Sequence, residues 1–337
     1  MNEPVVDVHA HALLPVALNA MAAEFPEYGP TLLEEPDARY LQYPGRERLG
    51  PLYPGIFDPQ VRLADMDRMR VDRQIIAIPP PQYHYHVPAE VGVRFAQLQN
   101  DGLIALHDVS PDRFHVFGTL PLQDIDASVA EVDRIAEVPF VRGVQMSTNV
   151  NLMDLDDPSL EPVWSRLEHY GLPVWFHGDQ RSIAGADRLD RYYLQNFIGL
   201  PLETTIAMAS LIFGGVMANH PGLRFGWVHG GGFAPYQLGR WDHGWQQRTE
   251  SKVILKDTLP SHYFKQFYID SLTHDPISLD MLGARMGWDH VVLGSDYPFD
   301  MGPKDPVAGV EAVEMTDADR VAVLSTNCEN FLRPMSG

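Results

Sequence analysis

Apolar residues along this chain gather into eight short runs, most of them bounded by loop-forming residues. The runs are Pro4–Val8, Gln74–Ile78, His115–Leu120, Val141–Met146, Pro173–His177, Arg224–His229, Phe267–Asp270 and His290–Gly294. Several are nearly continuous apolar stretches, as expected of parallel strands buried on both faces. Between them the apolar spacing becomes helical. The helical patterns include Val61–Arg70, Glu90–His107, Ala127–Ala136, Leu160–Tyr170, Leu202–Asn219, Phe233–Trp245, Pro276–Met286 and Asp317–Phe331. Eight strands alternating with helices predict an α/β fold, a (β/α)8 barrel. A doubly wound sheet shares the alternation, but its glycine-rich turn after the first strand is missing here.

Two segments interrupt the pattern. Residues 13–60 are rich in Pro, Tyr and Gly without a strong period, and are expected to form an insertion covering the barrel mouth. Residues 178–200 carry Asp, Arg, Tyr and Phe and read as a second mouth loop. No repeat divides the chain, so residues 1–337 are expected to form one domain.

Candidate chemistry sits where the strands end. The segments are Asp7-Val8-His9-Ala10-His11, Trp175-Phe176-His177, Trp227-Val228-His229-Gly230 and Leu293-Gly294-Ser295-Asp296. Strand C-termini are where barrels of this kind build active sites. His9 and His11, two apart on a strand, project to the same side. Together with His177 and Asp296 they make a donor set suited to a divalent ion such as zinc, with manganese as another possibility. His229, before three glycines, reads either as a fifth ligand or as a general acid–base; the second fits better, since four ligands already hold the ion. Asp296 is also a candidate proton acceptor. The fourth strand ends in Gln145-Met146-Ser147, with no Lys, Glu or Cys to bridge two metals, so one ion per chain is expected. Tyr83 and His84 follow the second strand and His274 the seventh, which makes them candidates for touching substrate.

Composition narrows the function further. Lys and Arg number 25 against 45 Asp and Glu, a formal charge of −20. That field opposes nucleic acid and anionic membranes as partners. An anionic substrate would need local positive charge from a metal or from arginines. The single cysteine, Cys328, rules out an internal disulfide framework and is expected to be a small buried hydrophobe. The longest apolar stretch, Ile206 to Met217, is too short for a bilayer. A cytoplasmic protein is expected.

These segments together resemble the amidohydrolase superfamily, in its branch around 2-amino-3-carboxymuconate-6-semialdehyde decarboxylase. Further stretches carry the resemblance: Phe57-Asp58-Pro59, Leu120-Pro121-Leu122-Gln123, Pro201-Leu202-Glu203-Thr204, Leu238-Gly239-Arg240 and Asp296-Tyr297-Pro298-Phe299. The resemblance implies zinc held by His9, His11, His177 and Asp296, with His229 as acid–base. It implies that Arg240 reaches the substrate carboxylate, in dimeric members from the neighbouring subunit, which points to a homodimer. The family's other carboxylate-binding arginine falls at Gly50 here, with Arg46 and Arg48 nearby; Arg48 is therefore a candidate. The expected activity is non-oxidative decarboxylation of a small unsaturated or aromatic carboxylic acid. A metal-dependent hydrolase on the same site is the alternative, and a metal-binding protein without activity the third reading.

Overall fold

The computed structural model describes residues 3–335. Its elements begin with β1 (Val6–His11), then an antiparallel hairpin of β2 (Thr31–Glu35) and β3 (Ala38–Gln42). The strands β4 (Arg73–Ala77), β5 (Phe114–Gly118), β6 (Val141–Met146), β7 (Val174–Phe176), β8 (Phe225–Trp227), β9 (Tyr268–Asp270) and β10 (Val291–Val292) follow, mostly separated by helices. One eight-stranded sheet runs β1-β4-β5-β6-β7-β8-β9-β10, parallel at every pairing. This is the (β/α)8 barrel expected from the alternation.

Closure comes from the segment after β10. The Val8 N–H donates to the Leu293 carbonyl, His11 N–H to Tyr297, and Asp296 N–H to His9. The stitch that closes the barrel thus lays Asp296 beside His9 and His11. A bulge between Asp7 and Ala10 shifts the β1 register where His9 emerges. Bulges commonly re-aim side chains beside active sites.

Helix starts follow from local chemistry. Asp58, Asp275 and Asp305 each cap a helix with the side-chain carboxylate, and proline occupies the next position. A proline there loses nothing, because its missing N–H would have no intrahelical partner. At the opposite rim, strand-end arginines tie down the C-terminus. Arg224 donates to the Phe331 carbonyl at 2.7 Å, Arg142 to Arg333 at 2.6 Å, and Arg73 pairs with Glu329 at 2.6 Å. Cys328 is fully buried there, packed in one cluster with Phe331, Trp175 and Val6, and burial holds its thiol well above the usual range.

The insertion is more ordered than its composition implied. It holds a helix, Pro15–Glu24, besides the hairpin. That helix has no clean polar face, because Val16 points to solvent while Ala17, Leu18 and Met21 are buried. The expected helix 202–219 is broken into Leu200–Phe213 and Val216–Asn219 by Gly215, which adopts φ 82°. With the π turn before it, residues 195–213 form a 19-residue helix apolar enough, by length and composition, to cross a membrane. The expectation drawn from residues 206–217 missed this. Ala207, Met208, Leu211 and Ile212 on that helix are buried in the main core.

Candidate metal centre

Three imidazoles meet in a near-equilateral triangle. The ring centroids of His9, His11 and His177 are each 5.2 Å from the other two. Asp296 Oδ1 lies 3.2 Å from His9 Nε2, 3.2 Å from His11 Nε2 and 3.9 Å from His177 Nε2. None of these four buried atoms has a hydrogen-bond partner. Buried polar atoms left unpaired are costly, and four converging on one point mark a site built around something else.

The outer nitrogens decide what that something is. His11 Nδ1 donates to the Ile78 carbonyl at 3.2 Å and His177 Nδ1 to the Gly178 carbonyl at 2.9 Å. A carbonyl only accepts, so the proton is on Nδ1 and the Nε2 lone pair faces inward. His9 Nδ1 meets Asp270 Oδ2 at 2.8 Å, the carboxylate–histidine pairing that orients metal-binding imidazoles. Burial pushes His11 below its ordinary value and His177 down to about 3. Burial would lower His9 too, but Asp296 and Asp270 hold it up at about 10. Burial would raise Asp296; the charge on His9 and the facing nitrogens of His11, His177 and His229 keep it well below the carboxylate range. The neutral imidazoles of His11 and His177 and the ionised Asp296 carboxylate, with His9 free to exchange its inner proton for a cation, are a donor set that fits a divalent ion.

His229 stands at the open side. Its Nε2 is 3.6 Å from Asp296 Oδ2, and its side chain is 19% exposed toward the cavity. His9, His177, His229 and Asp296 place one donor atom each within 4.8 Å of one another, so His229 is near enough to ligate as well. Both His229 and Asp296 have left-handed backbones, φ 55° and 58°. Non-glycine residues held there cluster at functional sites.

A cavity of about 620 Å³ opens above the centre. His177, His229 and Asp296 are among the residues that line it; the insertion supplies Leu13, Leu41 and Ile56, and the second mouth loop Gln180, Tyr193 and Asn196. Both mouth segments read from composition therefore line it.

The proposed substrate residues do not. Tyr83 is buried behind the wall, its hydroxyl 2.9 Å from Gln145 and within reach of the Met146 and His177 carbonyls. His84 is fully buried against Phe95, and its neighbours Pro79 to Gln82 face the cavity instead. His274 is exposed and away from the lining, because its backbone turns at φ 59°. Arg48 is exposed, paired with Glu35 and stacked on Tyr40. Arg240 lies exposed on the helix Ala234–Gln247 and lines a separate surface groove with Trp241 and Trp245. Asp270, which orients His9, was not singled out in the sequence; its position at the end of β9 was the available signal.

Comparison with known proteins agrees with the barrel. The Amidohydrolase family model matches residues 6–333. The chain is 34% identical over 277 residues to 2-amino-3-carboxymuconate-6-semialdehyde decarboxylase of Dictyostelium discoideum, covering 82% of this chain and 77% of that one. Its fold matches 5-carboxyvanillate decarboxylase from Sphingomonas paucimobilis with a TM-score of 0.83 at 21% identity, over 99% of this chain and 100% of the other. It also matches 5-carboxyvanillate decarboxylase from Novosphingobium aromaticivorans, complexed with manganese and 4-hydroxy-3-methoxy-5-nitrobenzoic acid. There the TM-score is 0.80 at 21% identity, covering 98% and 96% of the two chains. With the barrel, the His and Asp centre and these matches together, the chain belongs to the amidohydrolase family, in its 2-amino-3-carboxymuconate-6-semialdehyde decarboxylase-like branch.

Proposed function

We propose that this protein is a metal-dependent carboxy-lyase that removes CO2 from a small aromatic or unsaturated carboxylic acid. The observation that carries the reading is the set of four unpartnered donor atoms, His9, His11 and His177 Nε2 and Asp296 Oδ1, at the floor of the cavity. Decarboxylases among the relatives and structural neighbours support the reaction class.

His9, His11, His177 and Asp296 hold the ion, and His229 moves the proton. Three His and one carboxylate suit zinc; the manganese of a structural neighbour makes that ion the other choice. When bound, the ion supplies a fixed positive charge that orients the acid and stabilises negative charge on its oxygens.

The protein's own residues do the rest. His229, flanked by Asp296 on one side and the cavity on the other, delivers a proton to the substrate carbon that carries the carboxylate. A new C–H bond forms there. The C–C bond to the carboxylate then breaks, its electron pair returns to the conjugated system, and CO2 departs. The three glycines after His229 take φ 62°, 73° and 61°, a turn that residues with side chains rarely adopt. It brings the Gly230 N–H to Asp270, so the loop bearing His229 and the ring of His9 share one anchor.

The test is a panel of aromatic and muconate-type acids in deuterium oxide. The expected result is CO2 with one deuterium at the vacated carbon. Consumption of an acid or ester without CO2 would favour the hydrolase reading instead.

A further inference from the structure

Two buried residues on the helix Pro59–Arg68 grip the segment that follows Asp296. They are Arg62 and Asp65, three apart and therefore on one face of the helix. The Arg62 guanidinium lies 4.8 Å from the centre of the Tyr297 ring and donates to the His11 carbonyl. Gln74 holds it there, accepting at 2.9 Å. Asp65 Oδ2 accepts from the Tyr297 hydroxyl at 2.6 Å, and Arg68 pairs with Oδ1 of the same carboxylate.

Tyr297 is a sensitive place to hold. It follows Asp296 directly, and its carbonyl accepts from the His11 N–H at 2.7 Å. Its placement therefore bears on two of the four donor residues.

The same Asp65 oxygen accepts a second hydroxyl. Tyr53 reaches it at 2.8 Å from the insertion, where Leu49, Leu52, Tyr53 and Ile56 form part of the cavity wall. Gly55 makes room, since a Cβ there would sit on the Tyr297 hydroxyl. The clasp lies in a second cavity of about 480 Å³, which shares Tyr53, Pro298, Phe299 and Asp300 with the first. Hydrogen bonds from hydroxyls to a carboxylate are shorter and stronger than those between neutral groups.

We propose that Asp65 is a positioning residue. Its carboxylate clasps the insertion wall to the loop bearing Asp296, and so sets the metal centre and the cavity mouth together. This rests on the reading that His9, His11, His177 and Asp296 hold an ion.

The test compares Tyr53→Phe, Tyr297→Phe and Asp65→Ala; each of the first two removes one hydroxyl and keeps the ring. Manganese affinity is read by competition with a chromogenic chelator, and amide hydrogen exchange by mass spectrometry. Tyr297→Phe and Asp65→Ala should each weaken manganese binding about tenfold, the lower end of the effect of losing groups that orient ligands. Tyr53→Phe should bind manganese like the unaltered protein. Exchange should quicken about tenfold at Ile56 and Phe57 in Tyr53→Phe, at Phe299 and Gly302 in Tyr297→Phe, and at all four in Asp65→Ala. Those amides donate within the two clasped segments. The helix Ala89–His107 should exchange as slowly as before in every variant.

Unchanged manganese affinity in Tyr297→Phe would overturn the proposal. So would exchange quickened throughout the chain, the mark of lost stability alone. Should Asp65→Ala not fold, the two tyrosine variants decide. Failure of the unaltered protein to bind manganese would defeat the metal reading alone. Exchange in the metal-free proteins then decides the clasp, and unaltered rates in both segments would contradict it.

Discussion

Asp270 grips His9 with one oxygen and the loop beyond His229 with the other. Its Oδ2 meets His9 Nδ1 at 2.8 Å, while Oδ1 accepts from Gly230 N–H at 2.9 Å and Leu272 N–H at 3.2 Å. One buried carboxylate on β9 therefore couples a strand-one imidazole to the turn that presents His229.

This coupling predicts a metal defect from a residue that touches no metal. Asp270→Asn keeps the shape but weakens the acceptor facing His9 Nδ1. Metal affinity should fall about 10- to 100-fold, the usual effect of removing a partner of a ligating histidine. Competition with a chromogenic chelator measures it, and unchanged affinity would deny Asp270 its positioning role.

His229 and His177 should separate in their effects. His229→Ala is expected to lower activity by ~10²–10⁴-fold, the scale of a general acid–base group, with metal content near that of the unaltered protein. His177→Ala should lose metal and activity together. Elemental analysis of both variants decides the roles: a metal-free His229→Ala protein would make His229 a ligand.

A histidine far from the centre gives a stability prediction. His115, beside Arg142 at 3.0 Å, is pushed down to about 3 by burial and by the charges of Arg73 and Arg142. The unfolded chain binds its proton near the ordinary value of about 6.5. Its neutral burial therefore costs nothing above that pH, and stability is lost as pH falls from about 6.5 to about 3, on the order of a few kcal/mol at most. His115→Gln should flatten the dependence of urea unfolding on pH across that window. An unchanged slope would contradict the assignment.

Much of the barrel and its centre was legible because both obey periodic or positional rules. Strands buried on two faces leave apolar runs, and chemistry at their C-termini follows from the fold. Val141–Met146 and Pro276–Met286 have the bounds expected of them. The helix Pro15–Glu24 was hidden because its exposed positions mix Val16 and Ala23 with Asn19 and Glu24, which leaves no polar stripe to read. The helix Pro306–Glu311 was signalled by Asp305-Pro306, the same capping pair that opens the helix after Asp58. The cavity lining was the least legible part. Position after a strand says that a residue is near the mouth, not which way it turns; Tyr83 and His84 turn into the core while Pro79 to Gln82 face the cavity. Asp270 escaped notice because its role depends on a contact across 261 positions of sequence.

Under the proposed function, decarboxylation depends on an ion held by the four unpartnered atoms of His9, His11, His177 and Asp296. The direct measurement strips the protein with a chelator, then follows CO2 release from an aromatic acid as zinc or manganese is titrated back. Negligible release is expected from the stripped protein, with full recovery as bound metal reaches about one ion per chain, the occupancy of a single donor set with one open position. Undiminished CO2 release from protein shown by elemental analysis to be metal-free would contradict it.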